Sequence, residues 1–254
     1  MAVENATQRF SSRVENYARY RPSYPPGVIQ LLKDQCGLTA ASVVADIASG
    51  TGIFTRLLLE VGSQVFGVEP NPEMRKAGEQ FLATYPRFTS VAGTAESTTL
   101  PPHSVDIATA AQAAHWFDLP RARREFARIL EPDGWTVLVW NERSVDSTPF
   151  LRDYEQLLLA YGTDYKDVRH ERTTANLSQF FSPTPCHERV FELSQEFDYE
   201  SLRGRLLSSS YTPGPEHPGY ESMLRDLRRL FDQNQIHGKV AVTYRTRVYF
   251  GRLA

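Results

Sequence analysis

Cysteine is nearly absent from this chain. Cys36 and Cys186 are the only two in 254 residues, too few and too far apart for a disulfide framework or a thiolate zinc site, so a reducing cytoplasm is the expected setting. Long apolar runs are missing as well. No stretch reaches the roughly 18 apolar residues of a membrane span, and the opening residues are polar and charged with no signal-peptide core. An excess of one charge is also lacking, since 28 basic residues meet 30 acidic ones for a net charge of −2. No general field therefore draws nucleic acid or an anionic membrane, and neither is expected as a partner. The one basic cluster, Arg121 to Arg128, includes Phe126 and precedes Ile129 and Leu130, which reads as a helix with an apolar face and a solvated one. His170, His187, His217 and His237 lie in polar stretches without metal-ligand spacing, and no metal is expected. Internal repeats and low-complexity tracts are absent.

What the chain does have is a strand, a glycine turn and a helix in succession. Val43-Val44-Ala45-Asp46-Ile47 is an apolar run closing on an acid, Ala48-Ser49-Gly50-Thr51-Gly52 is the turn, and Ile53 to Leu59 has helical periodicity. A second apolar run, Val65-Phe66-Gly67-Val68, ends at Glu69. Glycines let a ligand lie against bare backbone, the following helix N-terminus offers N–H groups, and an acid about 20 residues on accepts the hydroxyls of a ribose. The pattern is that of a nucleoside-cofactor site. The dinucleotide fingerprint G-x-G-x-x-G asks for a third glycine where helix and strand pack beside a pyrophosphate, and here Thr55 stands in its place. An NAD-type oxidoreductase and a non-catalytic nucleoside-binding protein remain the alternative readings.

Apolar runs and helical patterns then alternate: helix 28–38 closed by Gly37, strand 43–47, helix 53–61, strand 64–69, helix 72–84, strands 88–92 and 105–110, helix 120–130 and strand 135–140. Such alternation gives an α/β fold with a parallel sheet between helical layers. The ligand crevice lies at the carboxyl ends of the strands where strand order reverses, between the first and the fourth. Asp46, Glu69, Ala95-Glu96 and Ala111-Gln112 all fall on that edge. Beyond Trp140 the pattern changes to a helix at 149–161, a polar stretch at 162–187, an alternating strand at 189–199, helices near 201–208 and 219–233, and a terminal strand at 239–253. Within the last, Tyr244 to Phe250 reads as an edge strand whose charges point outward and discourage aggregation.

Asp46-x-Ala48-x-Gly50-x-Gly52 resembles motif I of the class I S-adenosylmethionine-dependent methyltransferases, with Ala48 in place of the first glycine. One methyl there is a modest change provided the position keeps φ below zero. Three further segments carry the resemblance over most of the chain: Asn16-Tyr17-Ala18-Arg19-Tyr20-Arg21-Pro22-Ser23-Tyr24-Pro25, Gly93-Thr94-Ala95-Glu96, and Ala111-Gln112-Ala113-Ala114-His115-Trp116-Phe117-Asp118. They resemble the small-molecule "type 11" methyltransferases, in particular the trans-aconitate methyltransferase-like branch. The resemblance implies a Rossmann-like three-layer αβα fold with a seven-stranded mixed sheet, the last strand antiparallel, plus an N-terminal arm and inserted cap elements. It also implies one methyltransferase domain over 1–254, divided into arm and first helix (1–40), cofactor-binding core (41–140), and substrate-pocket insertion with the C-terminal strand pair (141–254). Implied cofactor contacts are Asp46, Ala48, Gly50 and Gly52 in the loop, Glu69 on the ribose diol with Pro70 and Met74 beside it, Ala95 and Glu96 flanking adenine, Gln112 toward the methionine end, and Tyr17 and Arg21 at the methionine carboxylate.

The implied activity is in-line methyl transfer from S-adenosylmethionine to an oxygen or nitrogen of a small molecule, by a monomer or weak homodimer. A sulfonium is already a strong electrophile, so the protein mainly holds the acceptor at about 3–3.5 Å and excludes water. His115 is the one histidine on the cofactor edge, either a general base for an alcohol or phenol or part of a packed wall. A carboxylate acceptor needs no base. Tyr17, Tyr20 and Tyr24 either form an aromatic lid or staple the arm to the core.

Overall fold

The computed structural model describes residues 19–165 and 180–253. Its frame is a seven-stranded sheet in the order β3-β2-β1-β4-β5-β7-β6. The strands are β1 (Val43–Ile47), β2 (Gln64–Val68), β3 (Phe88–Val91), β4 (Val105–Ala111), β5 (Leu130–Arg143), β6 (His187–Phe197) and β7 (Val240–Gly251). The first five pair in parallel, while β7 runs antiparallel to both β5 and β6. Because β1 neighbours both β2 and β4, the chain crosses from one half of the sheet to the other there, and the crossing leaves a crevice at the carboxyl ends of those strands.

Strand alternation divides the interior into two cores. Along β5, Val137 and Val139 join a cluster with Val28 and Leu32 of α1 (Pro26–Cys36) and Phe54 and Leu58 of α2 (Ile53–Glu60). Leu138 and Trp140, one position out of phase, join Ala122, Phe126 and Ile129 of α4 (Leu119–Ile129) on the other face. The period of two in the strand thus sends alternate residues to opposite helical layers. Local signals fix the helix ends. α1 opens on Pro26 and closes on Gly37, whose φ of 69° lets the chain turn out. In α3 (Pro72–Phe81) the Asn71 side chain accepts from the Met74 N–H at 2.9 Å.

A third cluster forms the cap. It comprises Phe150, Leu151 and Tyr154 of α5 (Pro149–Tyr161), Leu202 and Leu206 of α6 (Tyr199–Leu207), Met223 and Leu227 of α7 (Tyr220–Asn234), and Val242 and Tyr244 of β7. One expectation is corrected here: the strand bearing Tyr244 to Phe250 is not an edge, since β7 lies between β5 and β6. Its Arg247 is not an outward guard but reaches both neighbours, donating to Glu142 at 2.7 Å and to Glu188 at 2.5 Å. Cross-strand pairing of this kind supports a sheet interior. Among the described residues no helix is long and apolar enough to cross a membrane.

Candidate functional site

The turn after β1 is built from residues in the left-handed region. Ala48, Gly50 and Gly52 have φ of 56°, 57° and 85°. The proviso attached to Ala48 is therefore not met: it takes a conformation that costs an L-residue roughly 1–2 kcal/mol and that the glycine of motif I adopts freely. The two glycines have different reasons. A Cβ on Gly50 would come within 3.4 Å of the Met74 side chain, whereas one on Gly52 would press to 2.7 Å of Leu82 in the core. Gly50 lines the crevice, whereas Gly52 does not and belongs to the packing beneath it.

Two carboxylates brace the turn. Asp46 is 1% exposed and accepts from Thr55 Oγ1 at 2.6 Å and Thr109 Oγ1 at 2.8 Å. Burial pushes its pKa up to about 6, against the pull of the two threonine hydrogen bonds. Thr55 is thereby explained: where a dinucleotide fold has a third glycine, this chain places a buried hydroxyl that fixes Asp46 in register with α2 and β4. Glu69 follows β2, and its two oxygens accept from the Gly50 N–H at 2.9 Å and the Asn71 N–H at 2.8 Å. Burial raises its pKa too, while those two N–H groups and the Arg75 cation act to lower it. Each carboxylate oxygen keeps a second lone pair for a further donor.

A cavity of about 500 Å³ opens on this turn. Its walls come from Asp46 and Ala48 to Thr51, from Ile53 and Phe54 of α2, from Ala111 and Gln112 at the end of β4, and from the stretch 141–147 after β5. Arg21, Pro22 and Tyr24 close one side, and Tyr165, Arg205, Tyr211 and Tyr244 of the cap close another. Gln112 has a φ of 60°, and its side-chain amide reaches the Asn141 carbonyl at 3.5 Å, tying the ends of β4 and β5 together. In the cap half, Arg143 pairs with Glu155 and donates to Tyr165 at 3.1 Å, and Tyr165 donates to Glu155 at 2.7 Å.

The expected site residues thus separate into two groups. Arg21, Asp46, Ala48, Gly50 and Gln112 line the cavity. Glu69, Pro70, Met74, Ala95, Glu96, Gly52 and His115 do not belong to its wall. Of these, Glu69 and Met74 touch the glycine turn from behind, Ala95 is buried at 4% exposure, and Glu96 accepts from the Asp118 N–H at 2.9 Å. His115 sits on a short 3-10 turn, Ala114–Trp116, with its ring 4.7 Å from that of Trp116. Tyr17 lies outside the described residues. Tyr24 packs edge-on against Phe54 at 4.9 Å, and the Tyr20 ring fills the space beside Gly204, so these two hold the arm to α2 and α6. Sequence reasoning missed the threonine brace, whose signal was the hydroxyl at the third-glycine position. It also missed the Arg and Tyr residues of the cap, which carry no local motif.

Comparison with known proteins now decides between the readings. A family model described as "Methyltransferase domain" matches residues 45–138. An uncharacterised methyltransferase of Mycobacterium tuberculosis is 39% identical over 202 residues, 80% of this chain and 76% of the relative. The chain belongs to this methyltransferase family. A probable S-adenosylmethionine-dependent methyltransferase of Saccharomyces cerevisiae is 32% identical over 131 residues, 49% of this chain and 44% of that one. Among solved structures, a putative type II methyltransferase from Anaeromyxobacter dehalogenans superposes with a TM-score of 0.67 at 24% identity, covering 92% of this chain and 98% of its own. Its likeness is one of fold. The methyltransferase is thus an enzyme of the class I, S-adenosylmethionine-dependent type.

The residues present fit that cofactor. Gly50 lines the cavity with bare backbone, and Glu69 stands behind the turn with lone pairs to spare. Among the described residues no group of three or more His, Cys, Asp or Glu is placed to hold a metal.

Proposed function

We propose that this methyltransferase moves the methyl group of S-adenosylmethionine to an oxygen or nitrogen of a small molecule, in a site roofed by its own cap. The observation that carries the reading is the turn Ala48–Thr51, held open by positive φ on a cavity at the β1/β4 crossing and braced by Glu69 through the Gly50 N–H. In this reading residues 41–140 hold the cofactor, the arm covers it, and residues 141–254 shape the acceptor side. Glu69 takes the ribose hydroxyls, Pro70 and Met74 bound that end, Ala95 and Glu96 flank the base, and Arg21 with Gln112 serves the methionine end. The N-terminal segment ending in Tyr20-Arg21-Pro22-Ser23-Tyr24-Pro25 supports the trans-aconitate methyltransferase-like branch. Two free cysteines suit the cytoplasm.

When bound, the cofactor supplies a methyl group on an electrophilic sulfonium. The protein's share is positioning. Phe54, Tyr24 and Tyr211 exclude water from the cavity they line, and the Gln112–Asn141 contact fixes the strand ends against which an acceptor rests. His115, outside the cavity wall and with its ring tilted against Trp116, suits a packed wall better than a base. The test is product detection with methyl-labelled S-adenosylmethionine over a panel of small acids, phenols and amines. Label transfer to one class supports the reading, and transfer to protein or nucleic acid alone would sink it.

A further inference from the structure

Among the described residues, Arg205 is a buried cation without a counterion. It projects from the last turn of α6, is 9% exposed, and yet lines the cavity. Its Nε donates to the Tyr244 hydroxyl at 3.4 Å and its Nη1 to Ser209 Oγ at 3.2 Å, both neutral groups, while Nη2 has no hydrogen-bond acceptor among the described residues. Among the described residues it forms no ion pair. The contrast with Arg143 in the same cavity is direct, for that guanidinium has Glu155. The other acids lining the cavity include Asp46, engaged by Thr55 and Thr109, and Glu142, paired with Arg247.

An arginine stays charged in any protein environment, and a buried charge is retained at a cost unless something balances it. The carbonyls at the end of α6 and the phenols of Tyr244, Tyr211 and Tyr154 soften the positive charge without cancelling it. We propose that Arg205 is the acceptor-recognition residue of this methyltransferase, binding a carboxylate of the small molecule that receives the methyl group. The inference rests on the methyl-transfer reading of the cavity. One unbalanced guanidinium matches one negative charge, which suits a carboxylate better than a phosphate dianion. The hydrogen-bond partners of Arg205 are Ser209, just after α6, and Tyr244 of β7, whose side chain joins the cap cluster. Arg21 reaches the same end of α6, donating to the Ser208 carbonyl at 3.1 Å; in the methyl-transfer reading it serves the cofactor's carboxylate, which leaves Arg205 for the acceptor's.

The test is thermal unfolding of the protein saturated with S-adenosylhomocysteine, with matched probes added: benzoate against benzamide, succinate against succinamide, and inorganic phosphate. A ligand that binds only the folded state raises the melting temperature. The acids raise it and the amides and phosphate do not. In Arg205→Met, the response to the acids is lost, affinity for S-adenosylhomocysteine is unchanged, and the ligand-free protein melts no lower than the parent, because an uncompensated charge has been removed from the interior. In Arg205→Lys, which keeps the cation but not the planar fork, the acids bind about tenfold more weakly. Equal responses to acid and amide, or a larger response to phosphate, overturn the proposal. So does an acid response that survives in Arg205→Met, or one undiminished in Arg205→Lys. A lower melting temperature for ligand-free Arg205→Met makes the guanidinium structural, and a tenfold loss of S-adenosylhomocysteine affinity assigns it to the cofactor. If the parent fails to bind S-adenosylhomocysteine, the methyl-transfer reading has failed, whatever Arg205 does.

Discussion

Ala48 carries a side chain where its backbone asks for none. With φ at 56°, Ala48→Gly removes the left-handed strain and returns some unfolded-state entropy, for a net gain of roughly 0.5–1 kcal/mol. Thermal or urea unfolding checks this, and a destabilised glycine variant would contradict it. The neighbouring glycines answer differently. Gly52→Val drives a branched side chain into Leu82 at a positive φ, so loss of stability is the first effect and any loss of binding follows from it. That outcome separates Gly52 from Gly50, which faces the crevice. Glu69→Ala strands the Gly50 and Asn71 N–H groups and, in the proposed reading, also removes the acceptors for the ribose. Calorimetry is expected to show a 10- to 100-fold loss of cofactor affinity, about 1–3 kcal/mol, together with a lower melting temperature. Unchanged affinity in a folded variant would remove the ribose assignment.

At the scale of elements, Glu125 is one of the residues that fasten α4 to the segment before β4. Glu125 accepts from the Thr98 N–H at 2.7 Å, from Thr98 Oγ1 at 2.6 Å, and from Arg128 at 2.7 and 2.8 Å. The Arg128 hydrogen bonds, opposed by desolvation and helped by Thr98, hold its pKa at about 2. A depressed carboxylate contributes stability that is fully present above its unfolded pKa, near 4.3, and is lost as pH falls toward 2. The stability gap between the parent and Glu125→Gln is therefore widest at neutral pH, about 1–3 kcal/mol, and closes between pH 4.5 and 2. A gap independent of pH, read from urea unfolding, would refute the ionic account. The same scale shows what was legible beforehand. β1 spans the expected residues and α2 differs by one, because an apolar run, a glycine turn and a helical stripe are local signals. Apolar patterning alone predicts a strand at 135–140, whereas β5 extends over Leu130–Arg143, since its ends are strands only through pairing with β4 and β7. The misplaced edge at β7 has the same origin: strand order is a long-range property, and alternation along one strand does not name its neighbours. In the site, the glycine turn and its acids announced themselves, whereas Arg205 and Tyr244 meet across 39 residues through the cap and leave no spacing to read.

The whole molecule is two layered cores on a sheet with a third, smaller core closing over the crevice. Cavity walls from the first half of the chain, Asp46, Gly50, Phe54 and Gln112, meet walls from the second, Arg143, Tyr165, Arg205 and Tyr244, so both halves are needed to form it. With a net charge of −2, recognition rests on groups inside that cavity rather than on a long-range field. The most direct test of the central claim is titration calorimetry of the purified protein with S-adenosylhomocysteine and, separately, with NAD. One S-adenosylhomocysteine per chain is expected, with no heat from NAD. Binding of NAD, or no binding of S-adenosylhomocysteine by a folded protein, would contradict the assignment of the crevice.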